Sequence, residues 1–299
     1  MPRIDAHLHV FTKASREFPR EVSERMPAER DESVEKLMKN MAEYDIDQAV
    51  LVQIGGTTYE THAYLLDCLK RYPDKFQGIG LIPAGIDTPE DHMDRLASGT
   101  GVIGFRLNSI GGPKDPFAPI DIRTFDAYPV WKHAAEKDYV LWVYLRARDA
   151  HLLAYMADAF PQVRTVMNHL GVCPGEGKFW WDDLGRPQCE IPGYPPAYHT
   201  THRLSKYENL SLHLSGHYAF SRNEYPYTEF AHWHQSLLRT FGSQRLMWAT
   251  DFPWILKNPG YGPLTRIIRE LTPDITDDQY TDVMGDTAAR FLRFPEVGV

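Results

Sequence analysis

Residues 48–54 read Gln48-Ala49-Val50-Leu51-Val52-Gln53-Ile54 and are closed by Gly55-Gly56. A short aliphatic run ended by two glycines predicts a buried strand. Thr57 and Glu60 then stand at the spacing of a capping box, predicting a helix through Leu66 and Leu69. The next apolar segment, 76–82, predicts a second strand. Upstream, Val34, Leu37, Met38 and Met41 fall at i, i+3, i+4 and i+7, one stripe of an amphipathic helix. Helix, strand, helix, strand in this order implies right-handed βαβ units and a parallel sheet.

The same beat runs through the chain. Strands are predicted at 3–11, 48–54, 76–82, 102–107, 139–145, 164–169, 210–215 and 245–251, with helical patterns between them. Thr88-Pro89-Glu90 and Thr276 with Gln279 mark two of the helix starts. Eight such units within 299 residues fit a closed (β/α)8 TIM barrel better than an open doubly wound sheet. The open sheet would want a glycine-rich turn after its first strand, where this chain has His9-Val10-Phe11-Thr12. Nothing marks a second domain, so residues 1–299 are expected to form one barrel. The long irregular stretch 172–198, rich in Pro, Gly and aromatics, is expected to be a lid or an interface element.

Bulk properties remove several function classes. A net charge of −8 without basic clusters argues against nucleic acid and against anionic membrane surfaces. No apolar run approaches the roughly 18 residues of a membrane span, and no secretory leader pattern precedes the first strand. Cys68, Cys173 and Cys189 are odd in number and form no CxxC, which fits reduced thiols in the cytoplasm.

The first strand reads Arg3-Ile4-Asp5-Ala6-His7-Leu8-His9-Val10-Phe11. Alternation puts Asp5, His7, His9 and Phe11 on one face, and Ile4, Ala6, Leu8 and Val10 on the other. Two imidazoles about 7 Å apart on one face make half of a metal site, or two donors aimed at a carbonyl. In a (β/α)8 barrel the chemistry sits where strands end. Those positions hold His7 and His9, Gln53, Arg106 with Asn108, Tyr144 with Arg146, His169, His213 with Ser215 and His217, and Asp251. A barrel built only for stability has no need to gather polar and titratable groups there.

Three stretches carry a family resemblance: His7-x-His9, Asn168-His169-Leu170-Gly171, and Trp248-Ala249-Thr250-Asp251-Phe252-Pro253. They resemble the amidohydrolase superfamily, and within it the group of lactonases and aromatic-acid decarboxylases. Val50-Leu51-Val52-Gln53, Gly104-Phe105-Arg106-Leu107-Asn108, residues 143–149 and Leu214-Ser215-Gly216 extend the likeness to the 2-pyrone-4,6-dicarboxylate lactonases and other lactone hydrolases. Two positions depart from the pattern. His213 stands where many relatives have lysine, and Tyr144 ends the fifth strand where other amidohydrolases place a metal-bridging residue. The second departure argues against a binuclear centre.

The resemblance implies one divalent metal, zinc by preference, held by His7, His9, His169 and Asp251. Metal-free catalysis by the same residues is the alternative. Hydrolysis of a lactone or similar cyclic ester is the expected reaction. Asp251 would move the proton, with His169 and His213 assisting, and Arg106, Tyr144, Arg146, Gln53, Asn108 and His217 would contact an acidic substrate. The other readings are non-oxidative decarboxylation of an aromatic or muconate-like acid at the same site, and a non-catalytic barrel that binds a ligand or partner. The aromatics of 172–198 also suit a homodimer contact.

Overall fold

The computed structural model describes residues 2–113, 115, 118–171, 178–190 and 201–295, with 147 and 148 by backbone only. Eight parallel strands form a single sheet: β1 Ile4–Leu8, β2 Gln48–Val52, β3 Phe76–Leu81, β4 Val102–Leu107, β5 Val140–Val143, β6 Thr165–Met167, β9 Leu210–Leu214 and β10 Leu246–Trp248. Their order follows the chain, β1-β2-β3-β4-β5-β6-β9-β10, and helices alternate with them as the periodicity predicts. The strands curl into a nearly closed (β/α)8 barrel. An antiparallel hairpin, β7 Phe179–Trp181 with β8 Pro187–Cys189, stands apart from the sheet.

The seam between β1 and β10 is closed by individual hydrogen bonds. Asp251 N–H donates to the His7 carbonyl at 3.0 Å, and His9 N–H donates to the Phe252 carbonyl at 2.7 Å. The buried Asp5 carboxylate takes the Thr250 N–H at 2.9 Å, the Thr250 hydroxyl at 2.5 Å and the Tyr261 hydroxyl at 3.0 Å. The residues that close the barrel are therefore those flanking the candidate site.

Two apolar layers hold the fold. Ile4, Ala6, Val50, Val52, Ile79, Val140, Trp142, Val166, Met247 and Ala249 fill the barrel interior, with Ala288 and Leu292 capping it from below. A larger layer lies between the strands and the outer helices, and Val34, Leu37 and Met41 of helix Val34–Glu43 belong to it as predicted. Gly104 is dictated by packing: a Cβ there would meet the Val140 carbonyl oxygen at 2.0 Å, so β4 and β5 approach this closely only without a side chain.

Simple alternation along the first strand is overturned. Ile4 pairs with Gln48 and Asp5 with Ala49, but Leu8 pairs with Leu51, so β1 carries one extra residue as a bulge. Ile4 and Ala6 belong to the interior layer while Leu8 packs in the outer one. Asp5 leaves the histidine face and turns to Thr250 and Tyr261. The capping box expected at Thr57 is also absent. The second helix starts at Ala63, after a 3-10 turn Glu60–His62, with no side-chain cap. The box at Thr276 and Gln279 is present.

Only part of the stretch 172–198 is described. Residues 178–190 form the β7–β8 hairpin; 172–177 and 191–198, with Cys173, lie outside the described residues. Cys68 and Cys189 are buried free thiols. Among the described residues, no helix is long and apolar enough to cross a membrane.

Candidate functional site

Above the apolar plug, five titratable side chains share the mouth of the barrel: His7, His9, His169, His213 and Asp251, all buried. His7 is at the centre, with ring centroids 5.1 Å from His9, 4.9 Å from His169 and 5.2 Å from His213. The bulge in β1 puts His7 on this inner side directly after the inward Ala6. His169 and Asp251 lie two and three residues past their strands, with φ of 45° and 61°. That left-handed backbone costs a non-glycine residue about 1–3 kcal/mol and is typical of side chains aimed for function.

Each group is fixed by a second contact. His9 Nδ1 meets the Val52 carbonyl at 2.8 Å. A carbonyl can only accept, so His9 carries a proton on Nδ1. His169 Nδ1 meets the Ser215 hydroxyl at 3.0 Å. Gly216 stands against this imidazole at φ +73°, where a Cβ would come within 2.8 Å of His169 Nδ1. Trp142 Nε1 donates to His7 Nδ1 at 3.1 Å. Tyr218 donates its hydroxyl to Asp251 Oδ2 at 2.6 Å. Asp251 Oδ1 is left with no hydrogen-bond partner among the described residues, 3.5 Å from His9 Nε2 and 3.7 Å from His7 Nε2.

Burial pushes the Asp251 carboxyl up, but the His169 and His9 imidazoles and the Tyr218 hydroxyl outweigh it and hold it at about 2. Burial pulls His169 down to about 4, and His7 and His213 well below the usual imidazole range, each further lowered by neighbouring imidazoles. At neutral pH the Asp251 carboxylate thus stands ionised beside neutral His7, His169 and His213 rings.

The other expected residues divide into two sets. Arg106 and Tyr144 border the group. The half-buried guanidinium lies 5.4 Å from the centre of the Tyr144 ring, Arg106 Nε is buried without a partner, and no ion pair engages Arg106 among the described residues. The Tyr144 ring is 5.1 Å from His169, and its hydroxyl is 3.6 Å from Cys189 Sγ. Gln53 instead spends its amide on the loop after β2, donating to the carbonyls of Ile54, Gly56 and Thr61 at 2.9, 3.3 and 2.8 Å. Asn108 and Arg146 are exposed. His217 does not continue the β9 face. The chain turns at Gly216, and His217 Nε2 pairs with His234 Nε2 at 2.7 Å.

Tyr218 and Trp142 were absent from the sequence expectation. Trp142 was within reach of it, because strand parity points it inward with Val140. Tyr218 follows a turn, where no periodicity carries information. The β7–β8 hairpin borders the site: Trp181 lies 5.5 Å from the Trp254 ring, which is itself 6.4 Å from His9, and Arg186 lies 5.6 Å from the Tyr218 ring.

His7, His169 and Asp251 each offer one ligand atom, and these lie within 4.8 Å of one another. Two imidazoles and a carboxylate are a donor set that zinc accepts. The fit holds at His169 and Asp251 and breaks at His7. A ring that accepts the Trp142 N–H on Nδ1 presents Nε2–H to the site, whereas a metal needs the lone pair there.

A family model described as Amidohydrolase matches residues 4–294. No sequence among the curated proteins matches. Among solved structures, a candidate 2-pyrone-4,6-dicarboxylic acid hydrolase from Acinetobacter baumannii, with citric acid bound, is 16% identical, with 98% of this chain and 100% of that one covered at a TM-score of 0.72. An amidohydrolase from Burkholderia multivorans with bound zinc is 21% identical over 99% and 100%, at the same TM-score. The 5-carboxyvanillate decarboxylase of Sphingomonas paucimobilis is 17% identical over 98% and 99%, with a TM-score of 0.61. The family typically uses a divalent metal.

Proposed function

This chain belongs to the amidohydrolase family, and we propose that it is a hydrolase that opens a lactone or comparable cyclic ester carrying an acidic group. One observation carries the reading. The ionised Asp251 turns an unpartnered oxygen toward two imidazole nitrogens, beside a half-buried arginine that has no acidic partner among the described residues.

Arg106 anchors the substrate's carboxylate through its guanidinium fork, with the Tyr144 ring beneath it. The ester carbonyl then faces His7, whose Nε2–H stabilises the oxyanion as it forms. Asp251 Oδ1 accepts a proton from the attacking water, and the water oxygen bonds to the carbonyl carbon. Collapse of the tetrahedral species breaks the ring C–O bond, and Asp251 returns the proton to the leaving oxygen. One water is consumed and one ring-opened hydroxy acid is formed. Tyr218 keeps Oδ2 occupied throughout, so the carboxylate works through Oδ1. His213, with both nitrogens unpartnered, sits behind His7 and completes the polar wall. Asn108 and Arg146 at the rim, and the β7–β8 hairpin beside Tyr218, serve to admit and select the substrate.

Polarisation of the carbonyl, which zinc would otherwise supply, is assigned to His7 Nε2–H, because His7 does not fit a cation as it is held. The test is acid release from a panel of carboxylated lactones, run beside CO₂ release from aromatic acids. Lactone turnover that Arg106→Gln weakens is expected. CO₂ release without lactone opening would overturn the reading in favour of decarboxylation, and inertness towards both panels would favour a binding protein.

A further inference from the structure

We propose that Trp142 is a positioning residue that locks His7 with its proton on Nε2, so that the two histidines of the His-x-His pair enter the site with opposite polarity. An indole N–H can only donate. Trp142 Nε1 lies 3.1 Å from His7 Nδ1, so that nitrogen must offer its lone pair. The ring's proton is then on Nε2. His9 is held the other way round. Its Nδ1 faces the Val52 carbonyl at 2.8 Å and must be the protonated nitrogen, so in the neutral ring the lone pair is on Nε2.

Both Nε2 atoms face Asp251 Oδ1, at 3.7 Å from His7 and 3.5 Å from His9. The His7 distance is beyond a hydrogen bond. His7 Nε2 and Asp251 Oδ1, like both His213 nitrogens, are buried and find no partner among the described residues; the first is a donor and the second an acceptor. A donor and an acceptor at this separation fit a substrate oxygen and a water proton side by side. That last step rests on the hydrolase reading; the tautomer does not.

The contact is hard to rearrange. Trp142 is fully buried in the barrel interior with Val140 and Val166, and its ring lies 5.3 Å from His213. Turning the indole would leave its N–H unpaired in an apolar layer, a costly state. Turning the His7 ring would set a C–H against the indole N–H with the same loss. A cation bound at His7 Nε2 would need the proton moved to Nδ1, bringing N–H against N–H across 3.1 Å. Trp142 thereby raises the threshold for metal at this position and keeps His7 as an electrophilic donor.

The test uses the full chain and no substrate, so it stands whether or not lactones are turned over. Long-range ¹H–¹⁵N correlation spectra of histidine-labelled protein report which ring nitrogen carries the proton, with His7 identified by the signal lost in His7→Gln. The expected pattern is a protonated Nε2 for His7 and a protonated Nδ1 for His9. A protonated Nδ1 on His7 would overturn the proposal. Calorimetric titration of chelator-treated protein with Zn²⁺ gives an independent arm. Trp142→Phe, checked for folding by its melting curve, removes the indole N–H and is expected to bind Zn²⁺ at least tenfold more tightly than wild type. Equal affinity in the two folded proteins would contradict it, and the spectra of the wild type decide the matter if the variant does not fold.

Discussion

Tyr218→Phe removes one hydroxyl and leaves the ring's packing in place. That hydroxyl is buried and donates to Asp251 Oδ2 at 2.6 Å. Hydrogen bonds to charged groups contribute roughly 1.5–3 kcal/mol. At about 1.36 kcal/mol per pH unit, losing it raises the Asp251 carboxyl by roughly one to two pH units. From the value of about 2 in the intact site, it would move to roughly 3–4. The direction follows because the hydroxyl stabilises only the ionised form, so removing it makes the carboxylate easier to protonate. Two readouts check this. His169 titrates near pH 4 in both proteins, so the check is the pH 4 to pH 7 rate ratio of the variant divided by that of the wild type, which should fall to roughly nine-tenths to one half. At pH 7 the freed carboxylate also loses its fixed orientation, and kcat should fall on the order of 10- to 100-fold while KM changes little. A variant with wild-type kcat and an unmoved acid limb would refute the assignment of Tyr218 as the group that fixes Asp251.

Further outcomes follow from the same geometry. Asp251→Asn should lose roughly 10²–10⁴-fold in kcat while still binding substrate, measured by single-turnover kinetics and calorimetry. Arg106→Gln should raise KM for carboxylated lactones by about tenfold or more and leave neutral lactones nearly unaffected, in a paired kinetic comparison. Gly216→Ala should depress activity by pressing a Cβ against the His169 imidazole, with the melting temperature also lowered by the unfavourable φ of +73°. Thr250→Val removes the hydroxyl that holds Asp5 across the β1–β10 seam and should cost about 1–3 kcal/mol in urea unfolding.

Most of the fold was legible because apolar periodicity is a local property. Val50 and Val52 inside the barrel, and Val34, Leu37 and Met41 outside it, are where period 2 and period 3.6 put them. Thr276 with Gln279 formed its box, whereas Thr57 with Glu60 did not, because Glu60–His62 is a 3-10 turn and the α-helix begins only at Ala63. The β1 bulge was illegible for a related reason: one residue of slip alters the facing of Asp5 without altering the composition of the strand.

The site divides in the same way. His7, His9, His169, His213 and Asp251 come together because they stand at or just past strand ends, and the barrel brings those ends together. Past the strand the rule fails. His217 was expected beside His213 by alternation, yet the turn at Gly216 sends it to His234 and brings Tyr218 to Asp251 instead. Gln53 has the right address and spends its amide on its own loop. Trp142 looks like a core residue in sequence, and it is one. Its functional weight lies in a single N–H whose direction only the folded barrel defines.

The central claim is that Asp251 activates water against an ester carbonyl. Turnover of a carboxylated lactone in H₂¹⁸O, with wild type and Asp251→Asn side by side, measures that step. One ¹⁸O in the newly formed carboxylate and near-complete loss of product in the variant are the predicted results. Product formed at wild-type rate by Asp251→Asn, or product without the label, would contradict it.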